Sequence, residues 1–377
     1  MNCNYQIAAY YFPGFHADPR NNRWHGRGWT EWELLKRAEP RFPGHRQPKT
    51  PLWGYEDESD PGVMARKIAA AANHGLTAFI YDWYWYEGGP FLNGALDRGF
   101  LDAPNNDRLK FALMWANHDW IDLFPAGRGG APLLMPGAMA RTAFDAAAAR
   151  IVERYFAHPS YWRIDGRPYL SVYELMRLVE GLGGIENART ALDDFRARAR
   201  AGGVGDPHLN AVVWGIQVLP GEGMPRDPDE LLARLGFDSV TSYVWIHHTP
   251  LERFPTVPYE EHARAAARDW GRFAGQYALP YYPNVTMGWD PSPRTVQSDA
   301  YENLGYPYMP VLAGNTPAAF GQALERAKSF LDEGRAAHPI LTVNAWNEWT
   351  EGSYLEPDTT HGLAYLEQIK RVFGRRT

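Results

Sequence analysis

Cysteine is nearly absent. The 377 residues hold one, Cys3, which excludes an intramolecular disulfide and favours a reducing compartment. Long apolar runs are missing as well, so no membrane-spanning helix is expected. No charged-then-apolar leader precedes Ile7, and the expected location is cytoplasmic. Positive residues are scattered and the net charge is -6, so no basic stripe exists for nucleic acid or an acidic membrane surface to bind. Nucleotide and nucleophile signatures are also wanting. Gly26-Arg-Gly28 and Gly127-Arg-Gly-Gly130 are too short for a phosphate loop and lack a strand-to-helix frame, and no convincing Gly-x-Ser-x-Gly or Walker pattern occurs. Internal repeats, linkers and low-complexity stretches are absent, so residues 1–377 read as one domain.

Aromatic residues are plentiful. They make up 14% of the chain, with 15 Trp and 21 Tyr, more than a core needs and suited to a cleft that stacks on rings. Eight short apolar segments alternate with helical ones. The strands are expected at Gln6 to Pro13, Leu76 to Trp85, Leu109 to Trp120, Arg167 to Glu174, Asn210 to Gln217, Asp238 to Trp245, Tyr281 to Asp290 (broken by Pro283) and Ile340 to Trp346. Helices are expected from Asp60-Pro61 to about Gly75 and over about 141–156, 186–201, 227–235, 259–277, 316–333 and 361–373. Parallel βα units of this number close into a (β/α)8 TIM-type barrel, an α/β fold whose catalytic groups lie at the C-terminal strand ends. Residues 17–60 form a long aromatic-rich loop after strand 1, and a loop of that length is usually functional or disordered.

The last strand runs into the densest chemistry, Trp346-Asn-Glu-Trp-Thr-Glu-Gly-Ser-Tyr-Leu-Glu-Pro357. Glu348 and Glu351 are three apart, so in a straight strand they point to opposite faces. The chain must turn after Glu348 to bring both to one cavity, and Gly352 eases that turn. Two carboxyls framed by Trp346, Trp349 and Tyr354 suit glycosidic chemistry, one protonating the leaving oxygen and the other assisting attack. A plainer reading is an acidic loop whose glutamates meet arginines or solvent. Other strand ends supply Asp82 with Trp83 and Trp85, then Asn117, His118 and Asp119, then Glu174, Gln217, Tyr243, His247 and His248, and then Trp289 and Asp290. The aspartates suit sugar hydroxyls or structural caps. The histidines match no dense metal motif such as His-Glu-x-x-His. His16, His45, Trp24, Trp29 and Trp32 in the long loop contact substrate or hold the loop down.

With those residues placed, the chain resembles the WbsX-type, glycoside hydrolase family 99-like proteins. Tyr10-Tyr-Phe-Pro-Gly-Phe-His16, Gly28-Trp-Thr-Glu-Trp32, Pro43-Gly-His-Arg-Gln-Pro48, Trp115-Ala-Asn117, Gly288-Trp-Asp290, Ser292-Pro-Arg294 and Asn315-Thr-Pro317 match that group in order, besides the Trp346–Pro357 stretch. The resemblance implies a barrel acting on glycosidic bonds with retention, and no metal or organic cofactor is expected, because the carboxyl pair and the substrate would supply protonation and attack. Glu351 would be the general acid/base, and Glu348 the base on a sugar 2-hydroxyl that attacks the anomeric carbon to give a 1,2-anhydro intermediate. Tyr11, His16, Asp82, Trp83, Trp85, Asn117, His118, Asp119, Tyr243, Trp289, Asp290, Asn347, Trp349 and Glu356 would bind a carbohydrate substrate. Many members read Ala-Asn-Glu-Asn-Trp where this chain reads Ala116-Asn-His-Asp-Trp120, so contacts there differ. The group also carries a glycosyltransferase label, which leaves transfer in polysaccharide assembly, or an inactive carbohydrate-binding barrel, as alternatives.

Overall fold

A computed structural model describes residues 5–374; Cys3 lies outside them. The strands that form the barrel are β1 (Gln6–Tyr11), β2 (Ala78–Tyr86), β3 (Lys110–Trp115), β4 (Arg167–Val172), β5 (His208–Val212), β6 (Ser239–Thr241), β7 (Tyr281–Tyr282 and Asn284–Thr286) and β8 (Ile340–Asn344). All neighbours pair in parallel. β7 is split by Pro283, which has no amide to give a ladder. Its first half pairs with β6 and its second with β8, and β8 pairs with β1, so the ring closes as a (β/α)8 barrel.

The helices outside the ring begin where the sequence supplies a cap. Asp60 accepts from the amides of Gly62 and Val63 at the start of α3 (Pro61–Asn73), following α1 (Pro19–His25) and α2 (Trp32–Arg37). Then come α4 (Arg141–Arg150, continued by a wider turn to Phe156), α5 (Leu175–Gly181), α6 (Ile185–Ala201), α7 (Pro228–Leu235), α8 (Tyr259–Gln276), α9 (Pro317–Asp332) and α10 (Ala364–Phe373). Asp227 and Thr316 cap α7 and α9, each with proline in the first turn. Among the described residues no helix is long and apolar enough to cross a membrane.

Two expectations change. Residues 17–60 are not one irregular loop, because α1 and α2 form within them; Asp18 caps α1 by accepting from the Arg20 amide. The strands also end earlier than their apolar patterns do. β5 stops at Val212 and β6 at Thr241, because the residues beyond leave the ladder to build the upper face.

The floor of the barrel carries hydrogen bonds between strands. Ser171 donates to Asn210, Asn210 to Ser239, and Asn284 to Thr342, all in buried positions. This hydrogen-bonded layer closes the barrel beneath the upper cavity without leaving those groups unpaired.

Candidate active site

Strand alternation decides what faces the barrel axis. On β2, Asp82 and Tyr84 point inward to the cavity, while Trp83 and Trp85 point outward. Trp83 packs against Trp115 and Tyr155 on the helical side. Phe12, Met114, Ala116 and His118 face inward by the same rule. Together with Tyr173, Tyr243, His247, Trp289, Glu348 and Glu351 they line a cavity that opens at the upper face of the barrel.

The turn anticipated after Glu348 is present. Asn347–Glu348 is a short strand and Trp349–Glu351 one 3-10 turn, ended by Gly352 in the left-handed region at φ 66°. A Cβ there would lie 2.4 Å from Lys49 Nζ and 2.7 Å from Asp290 Cβ, so glycine is needed for both angle and space. Arg294 then joins the two carboxyls. Its Nη1 is 3.3 Å from Glu351 Oε1 and its Nη2 is 3.5 Å from Glu348 Oε2. The same guanidinium reaches Glu31 Oε2 at 3.2 Å and donates to Tyr306 Oη at 2.7 Å. Phe12 and Phe124 lie against it, each ring centre 5.6 Å away.

Glu348 and Glu351 are held differently. Glu351 accepts a 2.6 Å bond from Tyr306. Glu348 accepts through Oε1 from Tyr243 at 3.1 Å, and its Oε2 is buried with no hydrogen-bond partner among the described residues. Burial raises the Glu348 carboxyl well above the ordinary range. The Glu351 charge adds to the rise and Arg294 opposes it. Asp82 is raised by burial as well. Burial lowers His118, and lowers His247 to about 4, so both imidazoles are neutral at pH 7.

Several residues expected at the cavity lie elsewhere, for local reasons. Tyr11 faces outward from β1 and stacks on Tyr81. The His16 ring nitrogens lie 3.0 and 3.2 Å from the carbonyls of Ala17 and Leu92. Asn117 exchanges hydrogen bonds with the Glu174 backbone, fastening β3 to β4. Asn347 does the same with Phe12, fastening the Glu348 turn to β1. Trp349 stacks on Tyr354 and donates to Glu356, which pairs with the buried Lys67. Asp290 binds His45, Gln47 and Lys49, anchoring the segment before α3. Asp119 reaches the cavity but pairs with Arg177 at 2.7 Å. His248 turns to Asp269 on α8, away from His247, and among the described residues no group of three or more His, Cys, Asp or Glu is arranged to hold a metal ion.

Sequence reasoning missed Tyr84, Tyr173 and Tyr306 and gave Arg294 and Glu31 no role. Tyr84 was findable, since it lies two residues from Asp82 and alternation puts both inside. Arg294 and Tyr306 come from the long β7–α9 connection, where no periodicity marks the direction of a side chain.

The acidic, aromatic-walled cavity thus opens at the C-terminal face of a parallel (β/α)8 barrel. The solved structures agree on the fold. The chain superposes on the GH99 endo-α-mannosidase from Bacteroides thetaiotaomicron with a TM-score of 0.57 at 12% identity, covering 97% of this chain and 96% of that one. A glycoside hydrolase-like protein gives 0.62 at 15% identity, covering 100% and 95%. The family model described as Glycosyltransferase WbsX matches residues 7–369, and the chain belongs to that family. It is also similar to WxcX of Xanthomonas campestris pv. campestris, 32% identical over 384 residues and 98% of this chain. The chain spans about half the length of that relative, 50%.

Proposed function

We propose that the protein is a retaining glycoside hydrolase in which Glu348 and Glu351 carry the chemistry. The observation that supports this best is their joint presence in one cavity, linked by a single arginine and walled by rings. Glu351 protonates the glycosidic oxygen as the bond to the anomeric carbon breaks. Glu348 takes the proton of the sugar 2-hydroxyl, whose oxygen attacks that carbon and closes a 1,2-anhydro ring. Water then opens the ring, giving its proton to Glu351, while Glu348 returns its proton to the 2-oxygen. The overall result is hydrolysis with retention. Arg294 beside Glu348 Oε2 favours the carboxylate form that removal of a hydroxyl proton needs, and that oxygen accepts no hydrogen bond from the described residues, which suits contact with substrate.

The family's label favours a second reading, transfer from a nucleotide sugar. The cavity charge argues against it. A diphosphate would meet Glu348 and Glu351, and Arg294 beside them is already shared by three carboxyls. Reaction with a panel of α- and β-linked oligosaccharides, followed by NMR in the first minutes, tests hydrolysis. Release of a sugar with retained configuration is expected. Glu348→Gln and Glu351→Gln should each lower turnover about 10²- to 10⁴-fold, and only the Glu351→Gln loss should shrink on substrates with a good leaving group. Intact turnover in both variants refutes the assignment. Calorimetric binding of nucleotide sugars without cleavage of any glycan would favour transfer.

A further inference from the structure

We propose that Asp82 is a positioning residue that stays protonated and directs the single proton of Tyr243 onto Glu348; this deepens the hydrolase reading and rests on it for its catalytic consequence. The argument is a proton count. Tyr243 Oη lies 2.9 Å from Asp82 Oδ2 and 3.1 Å from Glu348 Oε1. A phenol has one hydrogen to donate, so it can satisfy only one of these contacts. The other must be a donation into Oη, and its proton must come from a carboxyl. A phenolate between two carboxyls would make matters worse, and burial holds Tyr243 in its neutral form.

Geometry chooses between the two carboxyls. Glu348 is buried and faces Glu351 and Glu31 as well, but unlike Asp82 it has a cation against it, the Arg294 guanidinium 3.5 Å from Oε2, which favours its charged form. Asp82 has no such partner. The titratable groups acting on or beside it are Tyr10 from β1, Tyr84 from its own strand, Tyr243, Glu348 and Glu351, and none is a cation. Its Oδ1 is buried and accepts no hydrogen bond among the described residues. Burial without a cation favours the neutral acid. Asp82 therefore donates to Tyr243, and Tyr243 donates to Glu348 Oε1. Glu348 is left as an oriented carboxylate whose Oε2 is available to a sugar hydroxyl. When Asp82 loses its proton at higher pH, two anions compete for one phenol proton and the orientation of Glu348 is lost.

Infrared spectroscopy tests this without any substrate. The wild-type minus Asp82→Asn difference spectrum at neutral pH should contain the carbonyl band of a protonated carboxyl, and Tyr243→Phe should shift that band by removing its acceptor. Absence of the band, or a band indifferent to Tyr243→Phe, overturns the proposal. On a glycan the wild type cleaves, Asp82→Ala should lower kcat about 10- to 100-fold, the loss typical of a removed orienting partner, and Asp82→Asn should recover about tenfold of it. The asparagine amide donates to the same Oη and cannot ionise, so the alkaline limb of the wild-type kcat profile should become shallower in that variant, leaving only the general acid's own contribution. Asp82→Asn as inactive as Asp82→Ala overturns the proposal. Should no glycan be cleaved, the hydrolase reading fails by itself and the infrared result still decides the state of Asp82.

Discussion

Lys67 offers a direct test of how the carboxylate loop is held. It lies on α3, is buried, and its Nζ is 2.5 Å from Glu58 Oε1 and 2.6 Å from Glu356 Oε1. Asn347 also donates to Glu58, and Trp349 to Glu356, so the cluster backs both sides of the Glu348 turn. One cation faces two buried carboxyls. Burial raises Glu58 to about 7, with Lys67 opposing the rise and Glu356 adding to it. Against an unfolded value of 4.5, that one group supplies about 3 kcal/mol at about 1.36 kcal/mol per pH unit. Its folded pKa is the higher one, so the stabilisation is complete below pH 4.5 and is lost as pH rises through 7. Lys67→Met removes the cation and leaves two buried carboxyls, a change that costs about 3–5 kcal/mol when both are charged. The expected loss is of that size at pH 8 and smaller at pH 5, where Glu58 takes up a proton. Urea unfolding of wild type and variant at the two pH values measures it. Comparing variant with wild type cancels the separate titrations of Glu174, His247 and His262. Adding Glu58→Gln to Lys67→Met should restore part of the stability at pH 8. A loss that is equal at both pH values, or absent at pH 8, refutes the reasoning.

Further expectations follow from the same geometry. Arg294→Lys keeps the charge but loses the fork that spans Glu348 and Glu351, so turnover should fall at least about tenfold with the circular dichroism unchanged. Gly352→Ala should destabilise by at least about 1 kcal/mol from backbone conformation alone, and the clash with Asp290 should reduce turnover further by displacing Glu351. Trp83→Ala should cost about 3–5 kcal/mol in urea unfolding and leave KM alone, because the ring faces the helices. Trp289→Ala should raise KM, because that ring lines the cavity.

The barrel was legible because each strand is a short apolar run and several helices open on an Asp-Pro or Thr-Pro pair. The Glu348–Gly352 turn was legible too, since two carboxyls three apart can share a cavity only across a bend. Strand direction was less well read. The run of rings at Tyr81–Tyr86 looks like one aromatic surface, yet alternation sends Trp83 and Trp85 to the helices and Asp82 and Tyr84 to the cavity. Asn347, Trp349 and Glu356 share the Glu348 motif, but short-range turn geometry sends them to Phe12, Tyr354 and Lys67. A motif's spacing cannot separate residues that face a ligand from those that hold the turn. Arg294, Tyr306 and Glu31 were harder still, because irregular connections place them and only the folded chain brings them together.

The closure of β1 on β8 has a consequence for synthesis. β1 is complete at residue 11 and its partner β2 at residue 86, but its other partner, β8, is not complete until residue 344. Until then the amides and carbonyls of Gln6 to Ala9 on that side have no ladder. A chain paused on the ribosome before residue 340 thus carries an apolar parallel edge, the kind of surface on which other chains add strands. The same late pairing that fixes Asn347 to Phe12, and with it the Glu348 turn, leaves the unfinished polypeptide with a strand edge that the finished barrel covers.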